Sequence, residues 1–129
     1  MYEAEHLRAA QIVSIVDDDE AFRLATGSLV RSFGRPTRLF ASAEEFLDSG
    51  GIAETSCLIS DVMMPGMSGV DMLIRIQALG HTMPTLFITS FPTADLKAKA
   101  LAIGALVVLG KPADPDAIEH WLNFALKKP

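Results

Sequence analysis

The sequence is poor in the residues that build staples, metal cages and stacking platforms. It has one cysteine, one tryptophan and one tyrosine in 129 residues. A lone Cys57 excludes an internal disulfide framework, and no cluster of histidine and cysteine suggests zinc. The three histidines, His6, His81 and His120, are scattered, and none is assigned a role. No apolar run approaches the roughly 18 residues that would span a bilayer. The start, Met1 to Ala10, carries Glu3, Glu5, His6 and Arg8, and lacks the basic and apolar stretches of a secretory signal. Positive charge is also short: 11 Lys and Arg stand against 16 Asp and Glu, for a net charge of −5. That balance is a poor electrostatic footprint for nucleic acid or for anionic lipid. No glycine-rich phosphate loop follows any strand-like run, which removes a nucleotide-binding reading. These absences lead to the expectation of a cytoplasmic domain without direct nucleic-acid or membrane partners.

What the chain does have is apolar content. Half of it is hydrophobic, enough for one sizeable core. Residues 11–126 read as one domain, with a flexible N-terminal segment at 1–10 and a tail or linker stub at 127–129. Four short runs are of strand length: Ile12–Val16, Cys57–Ile59, Leu86–Ile88 and Leu106–Leu109. They do not alternate, which suits parallel strands covered on both faces. Thr37–Phe40 does alternate and reads as an edge strand. Helical spacing lies between the runs. Phe22, Ala25, Leu29 and Phe33 precede Gly34. Ser42 with Glu45 forms a capping box for a helix ending near Leu47. Ser68 with Asp71 opens a helix carrying Val70, Leu73 and Ile74. Ala94, Ala98, Leu101 and Ala102 form a small-residue helix that stops at Gly104. Asp114 caps the last helix, with Pro115 at its first position and a stripe of Ile118, Trp121, Leu122, Ala125 and Leu126. Five repetitions of strand then helix predict an α/β fold with a parallel sheet and right-handed crossovers.

In such sheets ligands bind at the carboxyl ends of the strands. Asp17, Asp18 and Asp19 follow the first run, Asp61 the third, Thr89 and Ser90 the fourth, and Lys111 the last. Taken singly, each has an ordinary reading: a solvated turn and helix cap for the three aspartates, a loop cap for Asp61, a strand-end hydroxyl for Thr89, a surface lysine for Lys111. Met63, Met64 and Met67 read as gap-filling packing, Trp121 as core, and Cys57 as a buried, inert thiol. Together, however, the polar residues gather at one sheet edge. Two unit charges about 4 Å apart repel by about 4 kcal/mol at an effective dielectric of about 20. Three carboxylates with one lysine therefore need either retained protons or a cation. A hard divalent ion such as Mg²⁺ fits oxygen donors. Asp61 can also act as a nucleophile toward phosphorus, giving an aspartyl phosphate, with Lys111 and the cation offsetting charge and Thr89 donating a hydrogen bond.

From Ile12 to Leu126 the chain resembles the receiver domain of bacterial two-component response regulators. The resemblance is carried by Ile15-Val16-Asp17-Asp18-Asp19, Ser60-Asp61-Val62-Met63-Met64-Pro65-Gly66-Met67-Ser68-Gly69, Ile88-Thr89-Ser90, Gly104-Ala105 and Gly110-Lys111-Pro112. It implies a three-layer, doubly wound, flavodoxin-like fold with five parallel strands in the order 2-1-3-4-5. It implies that Asp61 accepts a phosphoryl group from a histidine kinase or phosphotransfer protein. Mg²⁺ would be held by Asp18, Asp61 and the backbone carbonyl of Met63, with Asp17 acting through water. Lys111 would pair with the phosphoryl oxygens, and Thr89 would move toward them. The surface of the fourth helix, fifth strand and fifth helix would then change and control an output domain or target protein, with a homodimer as a further candidate assembly. The loop and helix pattern is most similar to receivers that precede a helix-turn-helix output domain.

Three positions depart from the family pattern. Val108 stands where an aromatic switch residue is common, and a valine has no ring to swing. Ser90 stands where a very small residue is usual. Phe91-Pro92 makes the following loop bulky and stiff. Two other readings compete: a degenerate receiver-like module acting without phosphate, and an aspartyl-phosphate phosphohydrolase. The second needs an aspartate two positions after the nucleophile, where this chain has Met63. No enzyme activity beyond slow self-phosphorylation and self-dephosphorylation is expected.

Overall fold

A computed structural model describes residues 10–127. The segments 1–9 and 128–129 lie outside the described residues, and with them most of the expected loose ends. Strands β1 (Ile12–Val16), β2 (Thr37–Phe40), β3 (Thr55–Asp61), β4 (Thr85–Thr89) and β5 (Val107–Gly110) alternate with helices α1 (Glu20–Ser32), α2 (Ala43–Asp48), α3 (Gly69–Ala78), α4 (Ala94–Ala102) and α5 (Pro115–Leu126). All pairings are parallel, in the order β2-β1-β3-β4-β5. The doubly wound, flavodoxin-like sheet expected from sequence is therefore the observed one, with Thr37–Phe40 at an edge.

The strand runs are continuous because both sheet faces are covered. On one face Val13, Ile15, Cys57, Ile59, Leu86 and Ile88 pack with Val30 of α1 and Ile118, Leu122 and Leu126 of α5. On the other, Val16 and Leu58 meet Phe40, Phe46, Met72 and Ile76. Beside them Phe87 and Val108 meet Val62, Val70, Leu73 and Ala100. Each large side chain so buried contributes about 1.5–3 kcal/mol. Two buried hydroxyls, Ser14 and Thr55, satisfy each other at 2.7 Å.

Local capping sets where each helix begins. Asp19, Ser42, Ser68, Thr93 and Asp114 accept backbone amides of Phe22, Glu45, Asp71, Leu96 and Asp116. Several expected faces differ. In α3 the buried positions are Gly69, Val70, Met72, Leu73 and Ile76, while Ile74 is exposed. In α4 the expected stripe of Ala94, Ala98, Leu101 and Ala102 is solvent-exposed, and Ala100 is the buried residue, with Leu96 and Ile103 beside it. Alanine marks no face by hydrophobicity alone, so its spacing misplaced the helix by a fraction of a turn. Trp121 is half-buried at the rim of the core, its ring edge-on to Phe124 and His120. The methionines also divide: Met64 is buried and Met67 partly so, but Met63 is 64% exposed and fills no gap.

Candidate functional site

The carboxyl edge of the sheet collects side chains from four strands. Asp61 is the last residue of β3 and Thr89 the last of β4, so the strands run two residues and one residue past the ends of their apolar runs. Asp17 follows β1, and Lys111 follows Gly110 at the end of β5. The register aligns Asp61 with Ile88 and Thr89 with Gly110, so the pocket spans neighbouring strands without a gap.

The three aspartates after β1 divide their roles. Asp19 caps α1, its Oδ1 accepting the Phe22 amide at 3.1 Å. Asp17 is buried, and its Oδ1 accepts the Asp19 amide at 2.9 Å. Asp18 stays exposed at the rim. Carboxylate oxygens of Asp17, Asp18 and Asp61 all lie within 4.8 Å of one another. The solvated-cap reading thus fits Asp19, while its two neighbours face Asp61.

Asp61 is held from both sides. Its Oδ1 accepts the Val62 amide at 2.7 Å and the Met63 amide at 3.4 Å. Its Oδ2 lies 3.1 Å from Lys111 Nζ, which also reaches Asp17 Oδ2 at 3.0 Å. Burial pushes the Asp17 carboxyl above the usual range, and the Asp61 charge adds to that, against the Asp19 amide and Lys111, which lower it. Burial by itself would lower the Lys111 ammonium, but the hydrogen bonds and charges of Asp17 and Asp61 together carry it above its ordinary value. Thr89 is fully buried, and its Oγ1 accepts the Phe91 amide at 3.2 Å, which leaves the hydroxyl proton for donation. The Lys111 amide donates to the Thr89 carbonyl at 2.8 Å, tying the loops after β4 and β5 together. Ser90 is exposed on the loop above, and Phe91 is 69% exposed. Val108 lies below the pocket, buried among Phe87, Val62 and Ala100.

Three structural residues escaped the sequence reading. The Phe22 ring, read as one of a packing stripe, lies 4.2 Å from Lys111 Nζ, centroid to atom. Arg23 Nη1 donates to the Asp17 carbonyl at 2.8 Å. Glu44 of α2 accepts the Met67 amide at 3.0 Å, bracing the loop after Asp61. None carries a sequence signal, because each contact joins elements far apart in the chain or depends on a side-chain direction. Gly69 does carry one: it stands so close under β3 that a Cβ would meet the Asp61 carbonyl oxygen at 2.2 Å.

The donor set is all hard oxygen. Three carboxylates against one ammonium leave a negative surplus, so the residues fit a divalent cation such as Mg²⁺. Comparison with known proteins identifies the family. The sequence profile of the response regulator receiver domain matches residues 13–123. The response regulator protein TmoT of Ectopseudomonas mendocina is 38% identical over 116 residues, covering 90% of this chain and 53% of that protein. TodT of Pseudomonas putida is 36% identical over 118 residues, covering 92% and 52%. The chain spans about half the length of the curated relatives it matches. Among solved structures, the response regulator StyR superposes with a TM-score of 0.84 at 31% identity, over 92% of this chain and 60% of that one. Strand order, motif placement and profile agree, and the chain belongs to the family of response regulator receiver domains.

Proposed function

We propose that this domain is the phosphoacceptor of a two-component pathway, taking a phosphoryl group on Asp61 from the phosphohistidine of a sensor kinase or phosphotransfer protein. One observation carries the reading: Asp61 is held 3.1 Å from Lys111 while carboxylates of Asp17 and Asp18 converge on it from another strand. Asp18, Asp61 and the Met63 carbonyl would hold Mg²⁺, with Asp17 acting through water. When bound, the ion offsets negative charge on the transferring phosphoryl oxygens. In the transfer, an Asp61 oxygen forms a bond to phosphorus as the phosphorus–nitrogen bond breaks, and the electron pair returns to the donor imidazole. Lys111 pairs with the phosphoryl oxygens. Thr89 releases its hydroxyl toward them, and Ser90 offers a second hydroxyl at the rim.

The new dianion draws the Thr89 loop inward and shifts α4, β5 and α5, the surface that would control an output domain or target. Buried Val108 makes that coupling a matter of packing, with no ring rotation. The domain turns over no substrate; self-phosphorylation and self-dephosphorylation are its slow side reactions. The test is intact mass after incubation with Mg²⁺ and phosphoramidate. A gain of one phosphoryl group, absent in Asp61→Asn, supports the reading. No gain in the wild type at millimolar Mg²⁺ leaves a receiver-shaped module acting without phosphate, and steady phosphate release from many esters would make it a hydrolase.

A further inference from the structure

A lysine ammonium carries three N–H donors and no acceptor. Two of those at Lys111 are taken by Asp17 Oδ2 at 3.0 Å and Asp61 Oδ2 at 3.1 Å. Among the contacts of the described residues, the third partner is the Phe22 ring, whose centroid lies 4.2 Å from Nζ. An aromatic face attracts a cation through its quadrupole, and more strongly as water is excluded. The Lys111 side chain is only 13% exposed.

The ring is itself fixed by the site. Asp17 Oδ1 accepts the Asp19 amide, and Asp19 Oδ1 accepts the Phe22 amide. Phe22 also packs against the core beneath α1. The contacts therefore close on themselves, running from Asp17 through Asp19 and Phe22 to Lys111 and back to Asp17.

We propose that Phe22 is a positioning residue, whose ring face sets the Lys111 ammonium between Asp17 and Asp61. The assignment of a phosphoryl-transfer role to that placement rests on the function proposed above. Leucine or methionine at this position keeps the bulk and loses the face, whereas tyrosine keeps both. Misplacing a charged group that meets the transferring phosphoryl slows the transfer without altering the fold.

The experiment uses Phe22→Leu, Phe22→Met and Phe22→Tyr, each shown to be folded by a thermal melt, alone and combined with Lys111→Ala. In metal-free protein, the ring should shift the Lys111 side-chain proton resonances upfield. The shift should vanish in Phe22→Leu and Phe22→Met and persist in Phe22→Tyr. Phosphorylation by phosphoramidate, followed by intact mass, should slow about 3- to 10-fold in the two aliphatic variants and recover in the tyrosine variant. In the Lys111→Ala background the same changes should slow it no further. Unshifted Lys111 resonances in the wild type, wild-type rates in both aliphatic variants, or equal slowing with and without Lys111 would each overturn the proposal. A wild type that takes up no phosphoryl group defeats the proposed function instead, and leaves the Phe22–Lys111 contact to be judged on its resonances.

Discussion

Met63 and Phe91 are two large apolar side chains standing in solvent at the mouth of an acidic pocket. Their exposure has no packing return, and each follows a site residue by two positions, Asp61 or Thr89, so under the proposed function they would flank an Asp61 phosphoryl group. They are expected to hinder attacking water. Replacing both by polar residues should shorten the phosphoryl lifetime several-fold, read by the decay of the phosphorylated mass; an unchanged lifetime would count against the idea. Cys57 illustrates the opposite case, a polarisable group withdrawn from chemistry. Burial pushes its thiol up to about 12 from an ordinary value of 9.0. The folded state then binds that proton more tightly than the unfolded chain. Its contribution to stability is full below pH 9 and is lost as pH rises toward 12. Cys57→Val should flatten the alkaline limb of a stability–pH profile measured by urea denaturation. Raised Lys111 contributes in the same direction above its own ordinary value of 10.5. Residue identities at the site were legible because charge and position coincide: an aspartate, a hydroxyl or a lysine just past an apolar strand can be read directly. Phe22 was not, because a phenylalanine in a helical stripe looks the same whether it faces the core or an ammonium.

Helix starts were readable from capping chemistry, and Ser42, Ser68 and Asp114 open α2, α3 and α5 where their side chains predict. Helix faces were less so. Ile74 and Leu101 are exposed in the fold, while Met72 and Ala100 are inside, because the pattern of a short helix in a three-layer fold is set by which neighbour it meets. Strand ends slipped outward for a similar reason: Asp61 and Thr89 pair within the ladder although neither is apolar. The start of α3 gives the sharpest test at this scale. Gly69 donates its amide to the Val62 carbonyl at 2.9 Å, with β3 directly above. A Cβ would also reach Phe87 at 3.0 Å and Ser60 Oγ at 3.1 Å. Gly69→Ala should cost roughly 3 kcal/mol or more in a denaturant titration and displace the Asp61 backbone. Among the helices α4 has the thinnest anchorage, with Ala100 its one buried residue. Its amides should exchange with deuterium faster than those of α3, in which five residues are buried.

The strand order makes β3 the central strand and places Asp61 at its end, between residues delivered by β1 on one side and by β4 and β5 on the other. The whole domain is acidic, and its pocket concentrates that charge. A cation that binds the folded pocket and not the unfolded chain stabilises by mass action. At about tenfold over its dissociation constant, Mg²⁺ should add roughly 1.4 kcal/mol, raising the melting temperature in a way that chelation reverses and Asp61→Asn diminishes. The attachment of α4 has a mechanical consequence at the same scale. Gln77 of α3 donates to the Ile103 carbonyl at 2.7 Å, pinning the far end of α4, while the near end follows the Thr89–Thr93 loop and stands exposed. A helix held in this way would tilt about Ile103 when its loop end is pulled. Over nine residues, a tilt of about 10° carries the free tip through roughly 2 Å. A pull at the loop would enter at that tip, so displacement would be largest beside the loop and fade toward Ile103, spreading a local movement along the exposed side of the rod.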